Sequence, residues 1–146
     1  MQRRVAQSRW ADWVWEPHGV VPDPGGEARV LREDDAVSQW LHPGFRIVIH
    51  RDENEGYYLN VSSARPRVFV LWRMESGSGG DYGLPLDVTA SSEEAGRWLD
   101  ATHSVDGVAM PAEIFAWLGD YVEKNYRPEP KQRIKPRSFR HPKDRV

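Results

Sequence analysis

The chain has 146 residues, 39% hydrophobic and 29% charged, the size and balance of one globular domain, which excludes wholesale disorder. It holds no cysteine, so disulfides, thiolate nucleophiles and Cys-ligated zinc or iron–sulfur centres are excluded. No apolar run approaches the roughly 20 residues that span a bilayer, and "MQRRVAQSRW" lacks the apolar stretch of a signal peptide. The expectation is a soluble cytoplasmic protein with no membrane partner.

Within residues 9–17, Ala11, Trp13 and Trp15 share one face of an alternating pattern, opposite Asp12 and Glu16, which predicts a strand. "GVVPDPGGE" breaks the pattern as a loop, and "ARVLRED" follows as a second short strand. "FRIVIHRD" (45–52) and "YYLNV" (57–61), joined by "ENEG", predict a β-hairpin with Gly56 available for a positive φ. On that reading the adjacent Tyr57 and Tyr58 point to opposite sides of a strand. "RVFVLWRM" (67–74) is apolar on both faces and is expected as a central strand. "ESGSGGDYG" reads as a flexible connector, and "LPLDVTA" (84–90) as a last strand in which Pro85 marks an edge or a bulge.

The second half changes period. Ser91 and Glu94 form a capping box before Ala95, Trp98 and Leu99. Pro111 suits a first helical turn, and Ile114, Trp117, Leu118, Tyr121 and Val122 follow at the spacing of an amphipathic helix. The expected fold is therefore α+β: an antiparallel meander of five to six strands, then two C-terminal helices, in one domain over residues 1–126. Residues 127–146 carry four prolines, and eight Lys/Arg against Glu129 and Asp144. They predict an extended basic arm of net charge +6, which leaves −8 on the rest of the chain.

Chemistry-bearing motifs are few. His18, His42, His50, His103 and His141 are scattered, with none at ligand spacing from another histidine. Gly77-Ser78-Gly79 lacks the spacing of a nucleophile elbow, and its loop lacks the Lys-Ser/Thr pair of a phosphate loop. The acidic runs "REDD", "RDENE" and "SSEE" fall in turns and at helix starts, where solvated carboxylates are the rule. The expectation is a non-catalytic protein with no cofactor or metal. The arm, with Phe139 between Arg137 and Arg140, could follow a phosphate backbone, but an acidic body opposes a nucleic-acid partner. Interface cores favour aromatic residues and arginine, and this chain has seven tryptophans. Trp13, Trp15, Trp72, Trp98 and Trp117 are expected in the core. The expected partner-binding residues are Trp10, Tyr58, Arg127, Lys131, Arg133, Lys135, Arg137, Phe139 and Arg140.

Four blocks occur in order: "RWADWVWEPHGVVP", "HRDENEGYYLNVSSARPRVFVLWRM", "DVTASSEEAGRWLD" and "VAMPAEIFAWLGDYVEKNYRPEPKQRIKP". As a set they resemble an uncharacterised proteobacterial family of unknown function encoded beside molybdenum-dependent formate dehydrogenases. Many members of that family are labelled molybdopterin-guanine dinucleotide biosynthesis protein A. The label implies a guanylyltransferase, yet "EPHGVVPDPGGEARV" offers no glycine-rich loop running into a helix. The resemblance therefore implies an accessory or assembly protein, or a small subunit, with a formate dehydrogenase subunit as partner. The alternative it leaves is that the arm engages the phosphates of a nucleotide or of the molybdenum cofactor.

Overall fold

The computed structural model describes residues 1–5 and 13–128. Four short strands pair first: β1 (Gln2–Val5), β2 (Trp13–Glu16), β3 (Arg29–Glu33) and β4 (Val37–Leu41). They form an antiparallel sheet in the order β2-β1-β4-β3. The β3–β4 turn is closed by Asp34, whose carboxylate accepts the Ala36 and Val37 amides at 2.9 and 2.8 Å, the usual way a short acid stands in for backbone in a turn.

The second sheet has the order β6-β5-β7, with β5 (Arg67–Gly77), β6 (Gly80–Thr89) and β7 (Ser104–Ala109) all antiparallel. β5 is central, as its two apolar faces predict. β6 is an edge strand, and its register with β5 shifts between Leu71 and Trp72 beside Pro85, so both readings of that proline hold. Helices α1 (Asn54–Val61), α2 (Ser92–Asp100) and α3 (Ala112–Asn125) pack around this second sheet. The fold is thus α+β, but its strands divide between two sheets rather than one meander. A helix precedes β5 and a strand separates α2 from α3, so strands and helices interleave.

The predicted hairpin at 45–61 is not formed. Residues 45–50 alternate as expected, with Phe45, Ile47 and Ile49 inward and Arg46, Val48 and His50 outward, but they belong to no ladder. A side chain replaces the missing strand partner: the Tyr57 hydroxyl accepts the His50 amide at 2.8 Å and donates to the Val48 carbonyl at 3.3 Å. A short 3₁₀ turn at Arg51–Glu53 then leads into α1, where Gly56, Tyr57 and Asn60 are buried on one face. Tyr57 and Tyr58 are therefore helical, the first buried and the second half-buried. Gly56 has no positive φ; it is required because a Cβ there would collide with the Ser91 side chain. "ESGSGGDYG" is not a connector either. It is strand on both sides of a two-residue turn at Ser78-Gly79, with Gly80 at φ +104°.

Two buried clusters pack against residues 42–50. One gathers Tyr57, Ala90, Leu118 and Val122, the other Val68, Val70 and Val108, and Ile47 and Met110 pack against both. Polar ties lock the helices to the sheet. Asn60 donates to the Arg67 and Ala90 carbonyls, both at 2.7 Å, and accepts the Arg67 amide at 2.9 Å. Ser91 caps α2 by accepting the Glu94 amide at 3.1 Å, half of the predicted capping box. Its own amide goes to Thr89 Oγ1 instead of to Glu94. The Ser91 hydroxyl donates to the buried Glu53 carboxylate, which Arg97 also pairs.

No tryptophan among the described residues is fully buried. Trp15, Trp72 and Trp98 are half-buried, while Trp13 is 41% and Trp117 47% exposed, so the core expectation for these last two is corrected. The clusters are filled by tyrosine, valine, leucine and alanine; Trp72 packs against the second from a half-buried position, and Trp13, Trp40 and Trp117 lie at the surface. Among the described residues no helix is long and apolar enough to cross a membrane.

Candidate functional site

Where the first sheet meets the second, an apolar cleft of about 320 Å³ opens. One wall comes from residues 17–24 and from the chain leaving β4, through Trp40 and His42; the other comes from Val68, Val70 and Val88 and from Trp117 on α3. Trp40 is 36% exposed, so both indoles that flank the opening remain wet. Their placement follows from the secondary structure. Trp40 is on β4, where alternation turns it away from Gln39, and Trp117 sits one position before the buried Leu118 on the shoulder of the α3 stripe.

The rim is held by Asp23. Its carboxylate accepts the Gly44 amide at 2.8 Å and the Gly25 amide at 2.7 Å, clipping residues 42–45 to the proline-rich loop. Both glycines have positive φ, +100° and +74°, which lets those amides turn inward. These amide bonds, that from Gly44 first, hold the Asp23 carboxyl below its ordinary range. His42 is shifted down, chiefly by burial and secondly by the amino-terminal charge, which favours a neutral ring in the cleft wall.

Among the described residues, no group of three or more His, Asp or Glu is placed to hold a metal ion. The buried carboxylate of Glu53 is consumed by Ser91 and Arg97, away from the cleft. Apolar walls, two wet indoles and a carboxylate already engaged by two amides suit the reception of an apolar side chain better than the polarisation of a bond.

The residues expected to meet a partner are only partly brought together. Tyr58 is on α1 with its ring 5.1 Å from that of Tyr126, part of the packing against the first cluster rather than an isolated exposed aromatic. Arg127 is exposed just beyond α3. Trp10, Lys131, Arg133, Lys135, Arg137, Phe139 and Arg140 lie outside the described residues. Trp40, His42 and the cleft itself were missed by sequence reasoning. The alternation in "VSQWL" could have placed Trp40 on a strand face, but no local signal sets that strand against the second sheet.

Fold and site together define a small α+β protein in which two antiparallel sheets leave an open aromatic cleft between them. The chain belongs to the family described as Protein of unknown function (DUF3305), whose family model matches residues 1–135. No curated protein and no solved structure matches it.

Proposed function

We propose that this protein is a non-catalytic accessory or assembly protein, or a small subunit, for a molybdenum-dependent formate dehydrogenase, and that it acts by binding a subunit of that enzyme. The partner is supplied by the sequence resemblance; the mode of action is supported by the cleft. The observation that carries it is the exposure of Trp40 and Trp117 at the mouth of an apolar cleft. Large aromatics that line a pocket while remaining wet are what interface hot spots look like before a partner arrives.

The test is co-purification from the native host with the intact chain, its Trp40→Ala and Trp117→Ala variants, and a chain ending at Tyr126. The expected result is a formate dehydrogenase subunit, identified by mass spectrometry, recovered with the intact chain and lost with either tryptophan variant. Recovery of nucleic acid alone, or equal recovery of the subunit by both tryptophan variants, overturns the reading.

A further inference from the structure

A second groove, of about 520 Å³, lies between the first sheet and the β5–β6 hairpin and shares Trp40 and His42 with the first cleft. Its sheet-side wall is a row across all four strands. Arg3 on β1 pairs with Trp15 on β2 and with Ser38 on β4, and Ser38 pairs with Glu33 on β3. Directly paired residues share a face, so these four side chains stand side by side at about 4.8 Å per strand. Trp40, two residues from Ser38, extends the wall. The opposite wall is the hairpin tip, where Tyr82 supplies a ring and Gly77, Gly79 and Gly80 keep the backbone low. At Gly83 the two sheets touch: a Cβ there would stand 2.8 Å from Met1 Cε and 3.1 Å from Trp15 Cβ.

Arg3 is the cation of this wall. Its Nε is buried and has no hydrogen-bond partner among the described residues, and its guanidinium carbon lies over the Trp13 ring at 4.2 Å. On the groove face the Trp40 indole donates to Ser38 Oγ at 3.2 Å, while the Arg4–Glu16 and Gln39–Gln2 contacts, both at 2.8 Å, lie on the opposite face of the sheet. Stacking on Trp13 fixes the guanidinium plane and leaves its in-plane donors for an anion. Arg3 lines the groove, and an acid there gains a charge-assisted contact with the terminal guanidinium nitrogens.

We infer that this groove binds a small organic monoacid built on a flat ring, with its carboxylate or phosphate on Arg3 and the ring between Trp15, Trp40 and Tyr82. Glu33, at the far end of the row, and Asp81, on the hairpin, repel a polyanion. They favour a ligand with one acidic group and a hydrogen-bond donor on the ring.

The intact protein tests this by the indole N–H signals of its tryptophans in ¹⁵N-correlated NMR, titrated with 4-aminobenzoate, with adenosine monophosphate and with uncharged adenosine. At least one acid is expected to shift the Trp15 and Trp40 signals saturably at millimolar concentration or below, with adenosine weaker. A response to 4-aminobenzoate alone assigns a carboxylate ligand, and one to the nucleotide alone assigns a phosphate ligand. Arg3→Gln is expected to weaken binding roughly tenfold to a hundredfold. Should that variant unfold, Tyr82→Ala, on the hairpin wall, together with the acid-versus-adenosine comparison, decides. The inference is overturned if neither acid moves these signals, if adenosine binds as well as its monophosphate, or if a folded Arg3→Gln binds as well as the parent.

Discussion

Asn60 offers the sharpest check on how the helices are fastened to the second sheet. It is 3% exposed and makes three hydrogen bonds, two as donor to carbonyls and one as acceptor from an amide. Asn60→Ala removes all three. At about 1 kcal/mol each, with an added penalty because the Ala90 carbonyl is left without a partner in a fully buried position, the expected loss is about 4 kcal/mol. For a chain of this size that is a fall in Tm of roughly 8–16 °C. Asn60→Asp is the discriminating variant. It keeps the acceptor that faces the Arg67 amide but sets a carboxylate oxygen against two carbonyl oxygens. At neutral pH it is expected to destabilise more than alanine does. The carboxyl in that place is more easily protonated than in the unfolded chain, so the aspartate variant recovers as the pH falls towards about 4. Urea unfolding of the three proteins at neutral and acidic pH measures this. A loss below about 2 kcal/mol for alanine, or an aspartate variant milder than alanine at neutral pH, would refute the reasoning.

Gly56→Ala replaces glycine by a better helix former in the interior of α1, a change ordinarily worth about 1 kcal/mol in favour of the helix. Here its Cβ displaces Ser91, so stability is expected to fall by about 2 kcal/mol or more in urea titrations, and Ser91→Gly in the same chain should return part of it. His42 has an ordinary value of 6.5 that the fold lowers, so the folded state prefers the neutral ring. Its contribution to stability is complete above 6.5 and is lost as the pH falls from there through the lowered value, a loss that His42→Gln removes from the pH profile of Tm. Trp117→Ala is expected to change stability by no more than about 1 kcal/mol in the same titrations, because nearly half of the indole is already in water, while abolishing partner capture.

Local patterns carried the parts of the fold that depend on local physics. β3, the central β5, the Ser91 cap of α2 and the start of α3 at Pro111 are all written in short stretches. The region 45–61 was misread because alternation reports faces, not partners. Ile47 and Ile49 do point inward, yet they pack on the two buried clusters without a ladder, and the Tyr57 hydroxyl takes the backbone bonds a neighbouring strand would have made. The acidic run Asp52, Glu53 and Glu55 is a helix-start signal that competes with the β-rich "YYLNV", and burial of Tyr57 and Asn60 on one helical face decided between them. The division into two sheets was not legible at all. It rests on long-range pairing such as Arg3 with Ser38, and no window of neighbouring residues contains that information. For the same reason the cleft was invisible, since its walls come from residues 17–47 and 68–117, with Trp40 and Trp117 far apart in the chain.

Both buried clusters are built from β5, β7, the helices, the end of β6 and the segment before α1, with Val20 of the β2–β3 loop packed against the second. Among the described residues, none of the strands β1 to β4 gives an apolar side chain to either, and Ser38 is their single buried residue. The four strands thus rest on the remainder, tied to its interior through Val20 of the connecting loop, and they should lift away at a lower free energy than global unfolding requires. Their amides would exchange with solvent through that partial opening, while those of β5 and α3 wait for the whole domain to open. Each hollow between the sheets has one wall on either side of the seam, so both vanish when the sheet lifts. Whatever binds in one of them therefore acts as a clasp, slowing exchange throughout residues 1–5 and 13–41 and leaving the interior of the domain unchanged.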